Sequence, residues 1–305
     1  MRKHILPCLT SLILLGGATQ LAEAAVATFK DGAPAPFGGG NYAGTDDVML
    51  VSNNAGQQDQ NFGARDDFEA GEGSTPNVLP RHSLMRFNVT SMAGQYSVIN
   101  SVTLRLYPTG VDFDAGLGPD NLQVFRLSNA NTTWVEGTGF TAAGGDPPDN
   151  GQTTWSQRVQ GSQNWAGSPG ASSAGTDYTT LLGQTAFSSS TTPGVAFDVI
   201  FDPSQIQTLI NDWSSGNNAG LFLRSELELN RLISFNSVEA ASAALRPELI
   251  VVYDVPEPAT LGIWMVSAML ILSPRRRTAR LRGFGNEMRP GGGKGVYRVN
   301  ASPVR

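Results

Sequence analysis

The stretch Val102-Thr103-Leu104-Arg105-Leu106-Tyr107 decides the fold class, because apolar and polar side chains alternate along it. Successive side chains of a β-strand point to opposite faces, so this period of two predicts a strand with one buried face. The same alternation recurs at residues 85–89, 195–201 and 249–253. Glycine- and proline-rich breaks separate these runs, and helical patterns are nearly absent. The chain is therefore predicted to be all-β and to form a β-sandwich.

One short amphipathic helix is predicted after Asp202-Pro203-Ser204-Gln205, which offers a capping side chain, a proline at the first helical position and a glutamine at the third. The apolar residues that follow fall at helical spacing on one face: Ile206, Leu209, Ile210 and Trp213. Gly216 ends the pattern. We expect this face, including Trp213, to close one end of the sandwich core.

The N-terminus carries the features of a secretory signal peptide. Two basic residues precede an apolar core at residues 5–18, and Ala22-Glu23-Ala24 fits the small-residue rule for cleavage. We predict a signal peptide at residues 1–24, and hence export. The single cysteine of the chain, Cys8, lies within this peptide, so disulfides and cysteine chemistry are excluded from the mature protein.

The C-terminus carries a short apolar run at residues 259–273, between a Pro-Glu-Pro tripeptide and three arginines. The run is shorter than the ~20 residues that span a bilayer comfortably, so it predicts a short, weak membrane helix. Basic residues at its C-terminal end favour a cytoplasmic position for that end. The remaining residues, 278–305, form a basic tail that we expect to be disordered.

The order of these parts, over residues 255–277, resembles the PEP-CTERM sorting signal of Gram-negative bacteria. The residues that carry the resemblance are Pro256, Glu257, Pro258, Arg275, Arg276 and Arg277. It implies an exosortase as partner, transient anchoring in the inner membrane, and a final position at the cell surface or in the extracellular matrix. The signal normally ends at the arginines, whereas this chain continues. A plain C-terminal anchor and a buried helix are the alternatives.

The charge of the central region argues against some partners. Residues 26–254 carry ten basic and 23 acidic side chains, a net charge of −13, whereas the whole chain has −5. An exported region this acidic binds nucleic acid poorly, because the phosphate backbone repels it, and we expect no nucleic-acid partner. Its length suits one domain. We assign residues 25–45 to a linker or first strand and residues 46–254 to a single sandwich domain.

A series of short motifs in this domain resembles DNRLRE-type domains. The motifs, in chain order, are Asn61-Phe62-Gly63, residues 81–88, Trp134-Val135-Glu136-Gly137, Thr154-Trp155, Gly220-Leu221-Phe222-Leu223, residues 235–239 and residues 246–253. The resemblance implies a jelly-roll-like β-sandwich on an exported protein. Members and relatives of that family are carbohydrate-binding modules, and some of them bind uronic-acid polymers.

Four residues are candidates for carbohydrate binding. Trp155 and Trp165 lie in a region rich in glycine, serine and asparagine, and exposed indole rings stack on sugar faces. Arg86 and Arg105 can hold carboxylates in bidentate fashion, and would share a face if their strands pair. The alternatives are tryptophans that anchor loops to the sandwich, and arginines that are solvated or internally paired.

A weak calcium site is predicted at Asp112, Asp114 and Asp120, whose spacing partly matches a calcium-binding loop. Gly116 replaces one ligand of such a loop, and no glutamate stands at its last position. A second acidic loop is expected at residues 66–72. Solvated acidic loops without a metal ion are the alternative, and no other cofactor is indicated.

Catalysis has little support in the sequence. His82 is the only histidine of the mature region, and no Gly-x-Ser-x-Gly motif marks a nucleophile. The sequence therefore predicts non-catalytic binding of extracellular polysaccharide by a protein sorted to the envelope or matrix. A structural matrix or biofilm protein without a specific sugar site is one alternative, and a polysaccharide-degrading enzyme is another.

Overall fold

The computed structural model describes residues 24–52, 56–74, 79–140 and 148–256. Residues 1–23, the predicted membrane helix and the basic tail lie outside these ranges, as do five of the six residues of the predicted sorting signal. Within the described ranges, no helix combines the length and the apolar character needed to cross a bilayer.

Twelve β-strands and one α-helix form the regular structure of the described residues. The strands are β1 (Ala24–Lys30), β2 (Thr45–Val51), β3 (Asp67–Glu72), β4 (Pro80–Phe87), β5 (Val98–Leu106), β6 (Pro108–Phe113), β7 (Asp120–Leu127), β8 (Tyr178–Phe187), β9 (Phe197–Ile200), β10 (Leu221–Ser225), β11 (Arg231–Asn236) and β12 (Glu248–Asp254). The helix α1 (Pro203–Ser214) lies between β9 and β10.

The strands form two antiparallel sheets, which confirms the all-β sandwich. The smaller sheet has the order β1-β12-β5-β9. The larger sheet has eight strands and runs β6-β11-β3-β4-β10-β7-β8, with β2 paired to β4. The main core lies between the two sheets.

The strand that decided the fold class behaves as its pattern predicts. In β5, Val102, Leu104 and Leu106 are fully buried, whereas Thr103 and Arg105 are partly exposed on the other face. The predicted strand at residues 195–201 is shorter in the structure, where β9 has four residues. Val195 is largely exposed and precedes β9.

The predicted helix is confirmed together with its cap. The Asp202 carboxylate accepts a hydrogen bond from the backbone N–H of Ser204 at 2.8 Å. Such a cap satisfies one of the free N–H groups at a helix start and stabilises the helix by about 1 kcal/mol. The whole apolar face of α1, including Trp213, is buried in the main core.

A second core lies on the outer face of the larger sheet, where the alternating pattern alone predicts a wetter surface. Leu84 in β4 and Phe222 in β10 are fully buried there. The segment that covers them runs from residue 128 to 177, and contributes Trp134 and Trp165 to this core. Its described part contains short 3₁₀ turns and isolated β-bridges but no helix or strand longer than these. Period-two alternation reports burial on one face and carries no information about a covering loop.

Asn61 ties this covering segment to the rest of the domain. Its side-chain amide donates to the carbonyl oxygens of Glu136 at 2.6 Å and Thr153 at 2.8 Å. Its oxygen accepts from the N–H groups of Gly63 at 3.0 Å and Gly139 at 2.9 Å. A Cβ atom on Gly63 would lie 1.9 Å from the Glu136 carbonyl oxygen, so this position requires glycine.

Candidate functional site

Arg86 occupies the end of β4, directly opposite Asp46 of β2 in the strand register. Its Nε and Nη2 atoms donate to the Asp46 carboxylate at 2.9 and 2.6 Å, and its Nη1 atom donates to the Thr132 carbonyl oxygen at 3.2 Å. The guanidinium carbon lies 4.5 Å from the ring centroid of the buried Trp134. Arg86 is therefore fixed by an ion pair, a backbone acceptor and a cation–π contact.

A cleft of about 240 Å³ opens beside this arginine, at the C-terminal end of α1. Its lining consists mostly of short polar and planar side chains: Gly44, Asp46, Arg86, Asn88, Thr90, Trp213, Gly216 and Asn218. Asn218 donates through Nδ2 to the Phe87 carbonyl oxygen at 2.7 Å. That bond fixes the orientation of the amide and leaves Oδ1 buried without a hydrogen-bond partner. Asn218 thus contributes a fixed amide to the lining of the cleft.

Arg105 does not share a face with Arg86, because the condition for it, that their strands pair, is not met. β4 belongs to the larger sheet and β5 to the smaller one, so the premise that the two strands pair is wrong. Arg105 forms a bidentate ion pair with Asp198 at 2.7 and 2.8 Å. The hydrogen bond to Asp198 raises the pKa of Arg105 above its ordinary value. In the strand register, Lys30, Glu248, Arg105 and Asp198 form one row of alternating charge.

The two candidate tryptophans are held by the covering segment. Trp165 is 5% exposed, and its indole N–H donates to the carbonyl oxygen of Trp155 at 2.9 Å. A buried ring has no free face for a sugar, so Trp165 anchors the segment, which is the alternative stated above. Trp155 is partly exposed, and its ring centroid lies 4.9 Å from that of His82.

A buried carboxylate organises the covering segment beside these tryptophans. Asp177 is fully buried, and its oxygens accept from the backbone N–H groups of Gly167 and Ser168, both at 2.8 Å. It also accepts from the N–H of Ser173 at 3.0 Å and from Nδ2 of Asn131 at 3.0 Å. Four donors on one carboxylate give this irregular segment a defined shape without regular hydrogen-bond ladders.

The carboxylates of the predicted calcium loop are not brought together in the structure. Asp112 accepts from the N–H of Ser74 at 3.0 Å, whereas Asp120 is buried and accepts from the Ser225 hydroxyl. Asp114 lies in the turn between β6 and β7. The expected acidic loop at residues 66–72 is mostly the strand β3, whose backbone pairs with β11. Glu69 forms an ion pair with Arg81 of β4.

Another carboxylate group, not predicted from the sequence, lies at one end of the sandwich. Asp47, Glu136 and Glu239 each place an oxygen within 4.8 Å of the others, and within the described ranges this is the one such group of three or more. Burial, then the charge of Glu239, raises the pKa of Asp47. Burial raises the pKa of Glu136 to about 8, opposed by the Asp47 N–H and supported by Glu239. Protons therefore relieve the repulsion among these side chains.

His82 lies on the outer face of β4 with both ring nitrogens engaged. Nδ1 lies 2.7 Å from the Gly170 carbonyl oxygen and Nε2 lies 2.9 Å from Oε1 of Glu228. Neither nitrogen is paired with a serine or threonine hydroxyl, so His82 in this arrangement does not activate a nucleophile.

Neither a scan against protein-family models nor a search of curated proteins finds a match to this chain. The resemblances to the PEP-CTERM signal and to DNRLRE domains therefore remain predictions that rest on the motifs themselves.

The sequence identified one cleft residue, Arg86, and missed its neighbours. Asp46 enters the site through the β2–β4 register, and Asn218 enters through the turn after α1. Asn88 and Thr90 follow β4 directly, and the end of a predicted strand was the one signal that could have marked them.

Proposed function

We propose that this protein binds extracellular polysaccharide without catalysis, through the cleft beside Arg86. The observation that carries the proposal is a preformed cleft lined by an arginine, a carboxylate, a hydroxyl and two side-chain amides. Sugar hydroxyls donate and accept hydrogen bonds at once, and such a mixed set of planar polar groups is suited to them.

The setting of the cleft also favours binding. Arg86, Asp46 and Trp134 hold one another in place, so little side-chain freedom is lost when a ligand binds. Asn218 is held by its bond to the Phe87 carbonyl oxygen. Preorganised polar groups on strands and helix ends bind with less entropic loss than groups on free loops.

The remaining parts of the proposal rest on the sequence. The signal peptide and the PEP-CTERM-like tail favour export, processing by an exosortase at the inner membrane, and retention at the cell surface or in the matrix. The resemblance to DNRLRE domains favours a jelly-roll-like form of the sandwich and a carbohydrate-binding role. Calcium dependence is proposed from the sequence only, because the structure does not bring together the carboxylates of the predicted loop.

Two matched arginine variants test the proposal. Arg86→Lys removes a planar, ion-paired guanidinium from the cleft, and Arg105→Lys removes one from the other sheet. We expect Arg86→Lys to weaken polysaccharide binding about tenfold or more, and Arg105→Lys to leave it unchanged. Equal losses in both variants, or a loss only in Arg105→Lys, would reject the cleft. Absence of binding in the unchanged protein would instead favour the structural matrix protein.

A further inference from the structure

The outer face of the smaller sheet carries a band of uncharged side chains that reach solvent. In the strand register, one row of this band crosses all four strands through Thr28, Ile250, Thr103 and Ile200. The next row consists of Val26, Val252 and Ser101. Ile200 and Val26 are 67% and 62% exposed, and the other members of the band are partly exposed. The centre of this face is therefore mainly aliphatic, with small hydroxyl side chains between the aliphatic ones.

The two outer faces of the sandwich differ in how they are covered. On the larger sheet, the segment at residues 128–177 lies over the outer face, where Leu84 and Phe222 are fully buried. On the smaller sheet, two of the aliphatic side chains remain more than half exposed. A contiguous apolar surface on a folded domain marks an interaction site, because its exposure to water is unfavourable. The smaller sheet therefore has a face that is suited to a partner.

A row of alternating charge borders this band and indicates which partner fits. It crosses the four strands through Lys30, Glu248, Arg105 and Asp198. Within one copy, Arg105 pairs with Asp198 at 2.7 Å, and the two side chains are 33% and 36% exposed. Lys30 pairs with Glu248 at 3.6 Å, and these side chains are more shielded, at 13% and 11% exposed. A partner for this face needs charges that alternate in the opposite order.

The charged row is complementary to itself under one two-fold rotation. An axis that runs along the strands, between β12 and β5, places β1 opposite β9 of a second copy and β12 opposite its β5. Lys30 then faces Asp198 of the second copy, and Glu248 faces its Arg105. The apolar rows of the two copies face each other in the same way, and aliphatic side chains fill the about 10 Å between two packed sheets. A second copy thus matches both the apolar band and the charged row.

We propose that two copies of this protein associate through the outer faces of their smaller sheets, with the aliphatic band at the centre and the charged row at its border. Of the described residues that line the cleft beside Arg86, none belongs to the smaller sheet, so both clefts stay free in the dimer. Two clefts on one dimer would engage a polymer of repeated units bivalently, which raises avidity without any new contact. The dimer itself does not depend on what the cleft binds.

Two charge-swapped variants test the two-fold arrangement. Arg105→Asp combined with Asp198→Arg keeps an ion pair within each copy but reverses its polarity. Lys30→Glu combined with Glu248→Lys does the same for the other pair. In a dimer of either variant alone, like charges face each other at every position of the row. In a mixed dimer of the two variants, every facing pair is again of opposite sign, so mixing should restore association.

Sedimentation velocity of the purified full-length proteins measures this association. We expect the unchanged protein to dimerise, each charge-swapped variant alone to have a dissociation constant at least about tenfold higher, and the mixture to return to the original value. The apolar segments at both ends of the chain are identical in all samples, so association through them would not respond to the swaps. A monomeric unchanged protein, or swapped variants that associate as tightly alone as when mixed, would overturn the proposal.

A matched pair of single variants tests the apolar band without touching an ion pair. Ile200→Lys places a charge in the band, whereas Val195→Lys places the same charge at an exposed aliphatic position before β9, outside both sheets. We expect Ile200→Lys to raise the dissociation constant at least about tenfold and Val195→Lys to leave it unchanged. Equal effects of the two variants would overturn the proposal. A monomeric unchanged protein whose polysaccharide binding is weakened by Ile200→Lys would also overturn it, and would assign this face to the polysaccharide.

Discussion

The guanidinium of Arg86 lies over the indole ring of Trp134, 4.5 Å from its centroid, and is paired with Asp46 on its outer side. Trp134 is itself held by a hydrogen bond of 2.7 Å from its N–H to the Ala219 carbonyl oxygen. One buried ring thus links the second core to the rim of the cleft. Packing that stabilises the fold also sets the geometry of the candidate site.

Loss of this stacking should weaken the fold modestly. In Trp134→Phe a smaller aromatic ring replaces the indole. The hydrogen bond to the Ala219 carbonyl oxygen is lost, and the phenyl ring binds the Arg86 guanidinium less strongly than the indole does. We expect the free energy of unfolding to fall by about 1 to 3 kcal/mol, measured by urea denaturation. Phe125→Leu, at a partly buried position of the same core, is the control for small changes in packing. An effect below that of the control would contradict the role assigned to Trp134.

The buried carboxylate of Asp177 should be essential for the covering segment. Asp177→Asn replaces one acceptor oxygen with a donor that faces backbone N–H groups. We expect a loss of about 3 kcal/mol in the free energy of unfolding. Asp254→Asn changes a partly exposed carboxylate that accepts from Asn100, and should cost less than about 0.5 kcal/mol. Similar stabilities for the two variants would show that the hydrogen bonds of Asp177 contribute little to the free energy of unfolding.

Substitution of Gly170 should destabilise the protein by more than its positive φ alone would cause. Its φ is +72°, and a Cβ atom would lie 2.6 Å from the Trp155 ring. Gly175 has a φ of +81° and no heavy atom within 4 Å of its would-be Cβ, so it isolates the strain of the backbone. We expect Gly170→Ala to lower the unfolding free energy by about 1 kcal/mol or more beyond Gly175→Ala. Equal losses of unfolding free energy in the two variants would mean that the Trp155 indole moves aside without an energetic cost.

The carboxylate group at Glu136 predicts a dependence of stability on pH. Burial raises the pKa of Glu136 from 4.5 to about 8 in the folded protein. Between these values the folded state binds a proton that the unfolded state lacks, so the free energy of unfolding falls as the pH rises from about 4.5 to about 8. Below about pH 4.5 the stability that is lost at higher pH is fully present.

The variant Glu136→Gln should remove the part of that dependence that comes from Glu136 and leave the part that comes from the raised pKa of Asp47. We expect it to be more stable than the unchanged protein at about pH 8, on the order of 2 kcal/mol, and no more stable at about pH 4.5. Urea denaturation at both pH values, with EDTA present, measures the difference. Glu226→Gln, at an exposed position, is the control. A gain for Glu136→Gln that is the same at both pH values would contradict the assigned protonation.

The sequence was informative wherever one residue pattern determines one local structure. The alternation in β5 and the cap of α1 were read correctly, because strand periodicity and helix capping are local effects. The second core was missed because the segment at residues 128–177 has no periodicity. Its burial depends on side-chain bonds such as those of Asn61 and Asp177, which join residues far apart in the chain.

The candidate site illustrates the same limit. Arg86 was identified by its chemistry, but it was expected to share a face with Arg105 only if their strands pair, and that condition is not met. The chain crosses from the larger to the smaller sheet between β4 and β5. Asp46 and Asn218 reach the cleft from positions 172 residues apart, through sheet register and the end of α1. Such proximity depends on the completed fold.

The most direct test of the proposed function is a glycan array probed with the purified full-length protein, with and without calcium. We predict selective binding to a polysaccharide or its fragments, and weaker binding of the same glycans by Arg86→Lys. A requirement for calcium would support the proposed calcium dependence, whereas equal binding in EDTA would reject it. No glycan retained above background, with a folded protein on the array, would contradict the polysaccharide-binding account.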